Sequence, residues 1–246
     1  MDQPGAVASE SWRPQGFGAR HARDIVDAII EPLWAGERVL LIVERPEAVP
    51  VFRDVDGLSI EDPELEPILA AVGSALRADS VVLDGYLSRQ PNQRFELAAD
   101  FGMAMPTQAQ MIGQLVLGQS AADAARAALP HDPVVIDADL PLSFVAVDLL
   151  AIDGEALLDV PLLERKRILE TAFDESELLR RGVYVRPPVG GWLMGWRAFG
   201  FQELAYKAAN SRYTPGRPNP GWALIDIPNA GSKPGKPAKR QPSTDM

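Results

Sequence analysis

The stretch 142–154, LSFVAVDLLAIDG, narrows the possible folds more than any other part of the chain. Successive side chains of a strand point to opposite faces, so a run that is apolar at nearly every position must be covered on both sides. Asp148 is its single charge before the closing Asp153-Gly154. A cover follows in sequence: PLLERKRILETAF, residues 161–173, carries the helical period, with Pro161 near its start and Leu162, Leu163, Ile168 and Leu169 marking the buried side. Glu164, Arg165, Lys166 and Arg167 fall on the opposite, polar face, and Lys166 is expected to be a solvated charge.

The rest of the chain switches repeatedly between strand and helix periods. ARDIVDAII, residues 22–30, reads as a short amphipathic helix. RVLLIVE (38–44) and VPVFRD (49–54) read as strands joined through a turn at Pro46. EDPELEPILAAVGSALR (61–77) has Asp62 as N-cap and Pro63 at the first helical position, and places Leu65, Ile68, Leu69, Val72 and Leu76 on one face. SVVLDGYL (80–87) is a strand expected to turn at Asp84-Gly85, where glycine tolerates positive φ. Helices are expected at 107–117 and 121–129, the second capped by Ser120 with Asp123 as partner. GVYVRP (182–187), FQELAYK (201–207) and WALIDI (222–227) close the set as strands. Strand pairs mixed with helices give an α+β domain of mainly antiparallel sheets flanked by helices. Residues 1–19, rich in Gly, Pro and Ser, are expected to be a flexible segment, 20–228 the domain, and 229–246 a disordered basic tail.

Composition removes several chemistries. The 246 residues contain no cysteine, so disulfides, thiolate metal sites and a cysteine nucleophile are excluded, and two distant histidines, His21 and His131, make a poor zinc or Ser-His site. No metal-ligating set is expected. A formal charge of −10 disfavours nucleic-acid binding through bulk electrostatics. No window reaches the roughly 18 apolar residues of a membrane span and no secretion signal is legible at the N-terminus, so a cytoplasmic protein is expected. Of five lysines, three lie in the tail, which leaves Lys166 and Lys207 as the amines of residues 1–232, against nineteen arginines.

Two long segments, FVAVDLLAIDGEALLDVPLLERKRILE (144–170) and GFQELAYKAANSRYTPGRPNPGW (200–222), resemble the adenylation domain of ATP-dependent DNA ligases, most closely the compact bacterial repair type, in the right order and spacing. The likeness covers roughly Ala22 to Ile227 and implies a DNA ligase-like nucleotidyltransferase (ATP-grasp-like) fold. It further implies a reaction in which a lysine Nζ attacks the α-phosphate of ATP, with Mg²⁺ and cationic groups stabilising the developing charge.

The residues that would perform this are replaced. In the family the lysine opens a K-x-D-G-x-R motif; the aligned LWAGER has Leu33 for the nucleophile and Ala35 for the acid, and keeps Gly36 and Arg38. Tyr86 replaces a ribose-holding glutamate after Asp84-Gly85, and Val147 an adenine-stacking aromatic before Asp148. Gln202 stands for a metal-binding glutamate, with Glu203 in place of glycine. W-x-K-x-K becomes WALID, keeping Trp222 but with Leu224 and Asp226 for the two phosphate-binding lysines. Each lost charge-assisted hydrogen bond is worth about 1.5 to 3 kcal/mol, against about 4 to 8 kcal/mol for a millimolar-to-micromolar ligand. ATP is therefore expected to bind weakly or not at all, with no cofactor required.

Arg38, Arg53 and Lys207 remain as possible nucleotide-contacting remnants, although a surface salt bridge accounts as well for the arginines, and Lys207 is a poor substitute nucleophile. The aromatic run GGWLMGWRAFGFQE, with Trp192, Trp196, Phe199 and Phe201, is expected to pack in a core or interface. Only the tail follows Ile227, so no OB-fold domain of the kind the family usually adds is expected here. The resulting expectation is a catalytically degenerate module that binds a protein partner or DNA; the alternatives are a ligase or nucleotidyltransferase with a rearranged site, and a DNA-binding protein without chemistry. If nucleotide was abandoned, Leu33, Val147 and Leu224 should converge on one closed apolar pocket.

Overall fold

The structure is a computed structural model that describes residues 12–45, 48–90, 136 and 138–227. Its centre is a six-stranded sheet built from β3 (Glu37–Val43), β4 (Val51–Arg53), β5 (Val81–Ser88), β6 (Ser143–Ile152), β7 (Glu155–Ala156) and β8 (Leu179–Arg181). The order is β4-β3-β5-β6-β7, antiparallel throughout, with β8 running parallel along the free edge of β6. Facing it is a three-stranded antiparallel sheet, ordered β11-β9-β2, from β2 (Ala28–Pro32), β9 (Glu203–Ala208) and β11 (Trp222–Asp226). A parallel ribbon of β1 (Gly16–Phe17) and β10 (Pro218–Asn219) closes one side. The mixed helices and mainly antiparallel sheets agree with the class read from the sequence.

Both faces of the central sheet are buried. Val39, Leu41 and Val43 of β3 enter one core with Leu65, Ile68 and Val72, while Leu40 and Ile42 enter another between the sheets, with Ile29 and Trp222. β6 divides in the same way, Phe144 and Ala146 to one side and Val145 and Val147 to the other. The first side is covered by α1 (Glu66–Ala75), preceded by a 3-10 turn whose N-cap Asp62 accepts a hydrogen bond from the Glu64 amide. α2 (Leu162–Ala172) follows Pro161 and buries Leu162 and Leu169. α3 (Gly190–Ala198) brings Trp196, with Phe199 and Phe201 just after it, into a core shared with Ile30, Trp34 and Leu204. The aromatic run is thus core, as expected, and its helix went unread because glycines interrupt the periodic pattern.

Several expectations are corrected. Residues 22–30 are not a helix: a three-residue 3-10 turn, Ala22–Asp24, leads into β2, because Ala28–Pro32 are buried on both faces of an inner sheet. β5 does not turn at Asp84-Gly85 but runs through a register shift there, and Gly85 is needed for closeness: a Cβ would overlap the Val145 carbonyl and lie 2.5 Å from the Phe144 ring. The expected strand 182–187 is reduced to a bridge between Val185 and Ile30, as the chain crosses from β8 to the smaller sheet. Residues 12–19, expected to be flexible, are anchored by Trp12 and Gln15, both buried. The helices expected at 107–117 and 121–129, the Pro46 turn and the basic tail lie outside the described residues. Among the described residues no helix is long and apolar enough to cross a membrane.

Candidate functional site

Pairing of β2 with β9 places Glu31 opposite Ala205 and Lys207 opposite Ile29, so Glu31 and Lys207 are diagonal neighbours on the face turned towards the central sheet. Lys207 Nζ donates to Glu31 Oε2 at 2.7 Å, and Lys166 Nζ, from α2, lies 2.5 Å from Oε1. All three side chains are at most 4% exposed. Lys166 is therefore not the solvated charge its flanking Glu164 and Arg167 suggested: α2 turns it inward, towards a carboxylate that the strand pattern did not reveal as a partner. The aromatic walls complete the arrangement, with Lys207 Nζ 4.2 Å from the Trp222 ring centre and Lys166 Nζ 5.3 Å from that of Tyr184.

Burial alone would raise the Glu31 pKa; the attraction of Lys166 and Lys207 outweighs it and holds the carboxyl below its ordinary value. For Lys207 burial prevails over the attraction of Glu31, and its pKa is lowered. One carboxylate thus holds both amines of the described domain.

Two further ion pairs lie within the central sheet and between it and α2. Arg38 reaches both oxygens of fully buried Asp84, at 3.0 and 2.6 Å, and donates to the Gln15 carbonyl at 2.6 Å. Tyr213 donates its hydroxyl to Asp84 at 2.7 Å. Arg165, which the polar-face reading placed in solvent, is fully buried and bidentate to Asp148 at 2.8 Å on each arm. Asp84 and Asp148 are cross-strand partners on β5 and β6, and each carries its own arginine. These surviving motif residues are engaged in structure, so Arg38 is more enclosed than a surface salt bridge. Arg53 sits on β4 opposite Leu40, one strand further from the cleft.

The replaced motif positions separate into two groups. Leu33, half-buried, follows β2 and donates its amide to the Glu203 carbonyl at 2.9 Å; its side chain packs on the core that contains Tyr86 and Val147. Tyr86 is 8% exposed, and its hydroxyl pKa is pushed up to about 12, first by burial. Val147 is 2% exposed, lying against Gly182 so closely that a Cβ there would stand 2.9 Å from Val147 Cγ1. The second group is outside: Ala35, Gln202 and Asp226 are exposed, and Leu224 is 36% exposed on β11. Leu33 and Val147 do share an apolar core, but Leu224 does not join them, because alternation along β11 sends Ala223 inward on one side while Leu224 extends past the rim on the other.

At these positions Val147 lies against Gly182, the Tyr86 ring is buried, and Leu224 and Asp226 are exposed. Among the described residues no group of three acidic, His or Cys side chains is placed to hold a metal ion.

The topology, a central antiparallel sheet packed on a smaller one that carries the first and last motif positions, defines the nucleotidyltransferase fold of DNA ligase adenylation domains. Comparison bears this out. The ligase domain of M. tuberculosis LigD superposes with a TM-score of 0.56 at 21% identity, over 88% of this chain and 60% of that one. A mycobacterial DNA ligase D complexed with ATP and MES gives 0.55 at 20%, over 87% and 59%. In sequence the chain is 29% identical over 187 residues to a probable DNA ligase of Streptomyces avermitilis, and 27% identical over 218 residues to a DNA ligase of Thermococcus fumicolans. These matches cover 72% and 84% of this chain but 32% and 35% of those proteins, so it spans about a third of their length. No protein-family model matches it. The chain has the fold of a DNA ligase-like adenylation domain.

Sequence reasoning named Lys166 and Lys207 but missed Glu31 as the carboxylate they share. The available signal was an acid within the apolar run AIIEPLW in a domain with two lysines. A charge inside such a strand needs a cationic partner.

Proposed function

We propose that this chain is a ligase-like module that does not form lysyl-AMP and acts by binding a protein or DNA partner in DNA processing. The observation that carries the reading is the state of the amines. Leu33 stands at the nucleophile position, and both lysines of the described domain are fixed to Glu31 behind buried walls. A hydrocarbon cannot attack phosphorus, and an amine held as a buried ammonium has no free lone pair. The resemblance to DNA ligases supports a place in DNA repair or recombination, and the cysteine-free sequence suits a reducing cytoplasm.

The competing reading is a nucleotidyltransferase with a relocated nucleophile. One observation favours it: Lys207 has a lowered pKa, as an activated amine would. Its 3% exposure and its bond to Glu31 weigh against it. Incubation with α-labelled ATP and Mg²⁺ or Mn²⁺, followed by acid precipitation, separates the two. No retained label is the expected result. A retained label, or a mass increment of about 329 Da for one adenylyl group, would establish the enzyme, and loss of that label in K207A would identify the amine.

A further inference from the structure

We propose that the basic segment after Ile227 docks in cis on the rim of the cleft, over Leu224 and between Glu203 and Asp226. The β9–β11 register sets Glu203 directly opposite Asp226 and Ala205 opposite Leu224. Directly opposed like charges on adjacent strands repel, and such a pair is tolerated when something cationic lies across it. Neither carboxylate makes an ion pair or side-chain hydrogen bond within the described structure. Leu224 stands beside the pair, two residues before Asp226 on edge strand β11, 36% exposed, one of few large apolar side chains that the described surface leaves open.

The occupant is indicated by charge and by tether. The segment 228–246 contains Lys233, Lys236, Lys239 and Arg240 against one acid, Asp245, in a protein whose formal charge is −10. It leaves the fold at the rim itself: Ile227 is buried, and its amide donates to the Gln202 carbonyl at 2.6 Å, beside Glu203. Lys233 lies six positions after Ile227, a reach of up to roughly 20 Å when extended. Such a short tether gives an effective concentration on the order of millimolar, enough for weak charge pairing to persist. The positions that would face phosphate in the resembling family are thereby turned into a receptor for cations, and the rim is occupied by the chain itself. This docking goes beyond the proposed loss of adenylation and does not depend on it.

The test is carbodiimide coupling of the full chain at low salt, with the new amide bonds mapped by peptide mass spectrometry. Links from Glu203 or Asp226 to Lys233, Lys236 or Lys239 are expected, in a yield independent of protein concentration and at least several-fold lower at about 0.5 M salt. E203K/D226K should abolish them, and adding K233E/K236E/K239E to that variant should restore coupling between the same two segments. Links scattered over other exposed carboxylates, a yield that rises with protein concentration, or a yield indifferent to salt would overturn the proposal. Circular dichroism of each variant checks that these rim substitutions leave the fold intact, and because ATP is absent from the assay its outcome is separate from that of the labelling experiment.

Discussion

Glu31→Gln isolates the charge of the buried cluster with almost no change of volume. In the native protein one carboxylate lies within 2.7 Å of two ammonium groups, all at most 4% exposed. The amide leaves both ammoniums without a counter-charge, and removing one partner of a buried ion pair costs about 3 to 5 kcal/mol. An upper limit comes from the protons: free lysine releases its proton at pH 7.5 at a cost of roughly 4 kcal/mol, and Lys207, whose pKa burial lowers, releases its own for less. The penalty should thus be about 3 to 5 kcal/mol at neutral pH and should shrink as pH rises towards 10, when the lysines can be neutral in the unfolded state too. At the acid end the sign is opposite. The Glu31 pKa is lowered on folding, so its contribution is complete above about 4.5 and is lost as pH falls below that; the variant should lack this acid-dependent loss. Urea unfolding followed by tryptophan fluorescence at several pH values gives both slopes. E31Q/K207M, which removes one stranded charge, should recover a substantial part of the loss and keeps the argument testable if E31Q alone does not fold. A penalty below about 1 kcal/mol, or one of the same size at pH 7 and pH 10, would refute the assignment of Glu31 as the charge that holds both lysines.

Other outcomes follow from the same contacts. All four tyrosines have raised pKa values, Tyr86 and Tyr184 to about 12, so phenolate absorbance at pH 10 should be lower in the native protein than in the unfolded chain. Stability from buried Tyr86 is complete below pH 10 and lost as pH rises through about 12, so Y86F should unfold less readily in that window, read by alkaline titration. D148N strands fully buried Arg165 and should cost about 3 to 5 kcal/mol in denaturant unfolding, more than an exposed pair such as Arg167–Glu164 can contribute. G85A must displace the Val145 carbonyl or the Phe144 ring, and a loss of about 1 to 3 kcal/mol is expected by the same measurement.

What could be read from the sequence divides along physical lines. β6 and α2 were legible because periodicity reports burial directly, and α1 because Asp62 and Pro63 mark its start chemically. β2 was mistaken for a helix because AII with a preceding Asp fits both periods over so short a run, and the choice was made by the neighbouring strand, β9, far along the chain at Glu203–Ala208. Lys166 was misplaced for a related reason. Local sequence shows which residues flank a charge, whereas its burial depends on a carboxylate brought from another sheet. The replacements at Leu33, Tyr86, Val147 and Leu224 were visible as substitutions; that Tyr86 and Val147 are enclosed while Leu224 reaches solvent was not.

The positions that survive and those that change also have different physical roles. Arg38, Asp84, Gly85, Asp148 and Trp222 retain the residue types of the resembling motifs, and each is engaged in the interior: two bidentate ion pairs, a close strand approach, and an indole under an ammonium. Ala35, Gln202, Leu224 and Asp226 differ from those motifs, and each is exposed at the rim, where a substitution breaks no buried contact. Tyr86 and Val147 are buried but bring their own filling, with Gly182 against the valine. The fold therefore rests on the charged groups that face inward, and a substitution at the rim leaves those contacts intact. Gly36 illustrates the division within a single motif. It holds a φ of 134°, a region L side chains rarely adopt, and a Cβ there would overlap the Leu87 carbonyl oxygen, so the turn into β3 requires glycine even though the position three residues before it, lysine in the resembling motif, is leucine.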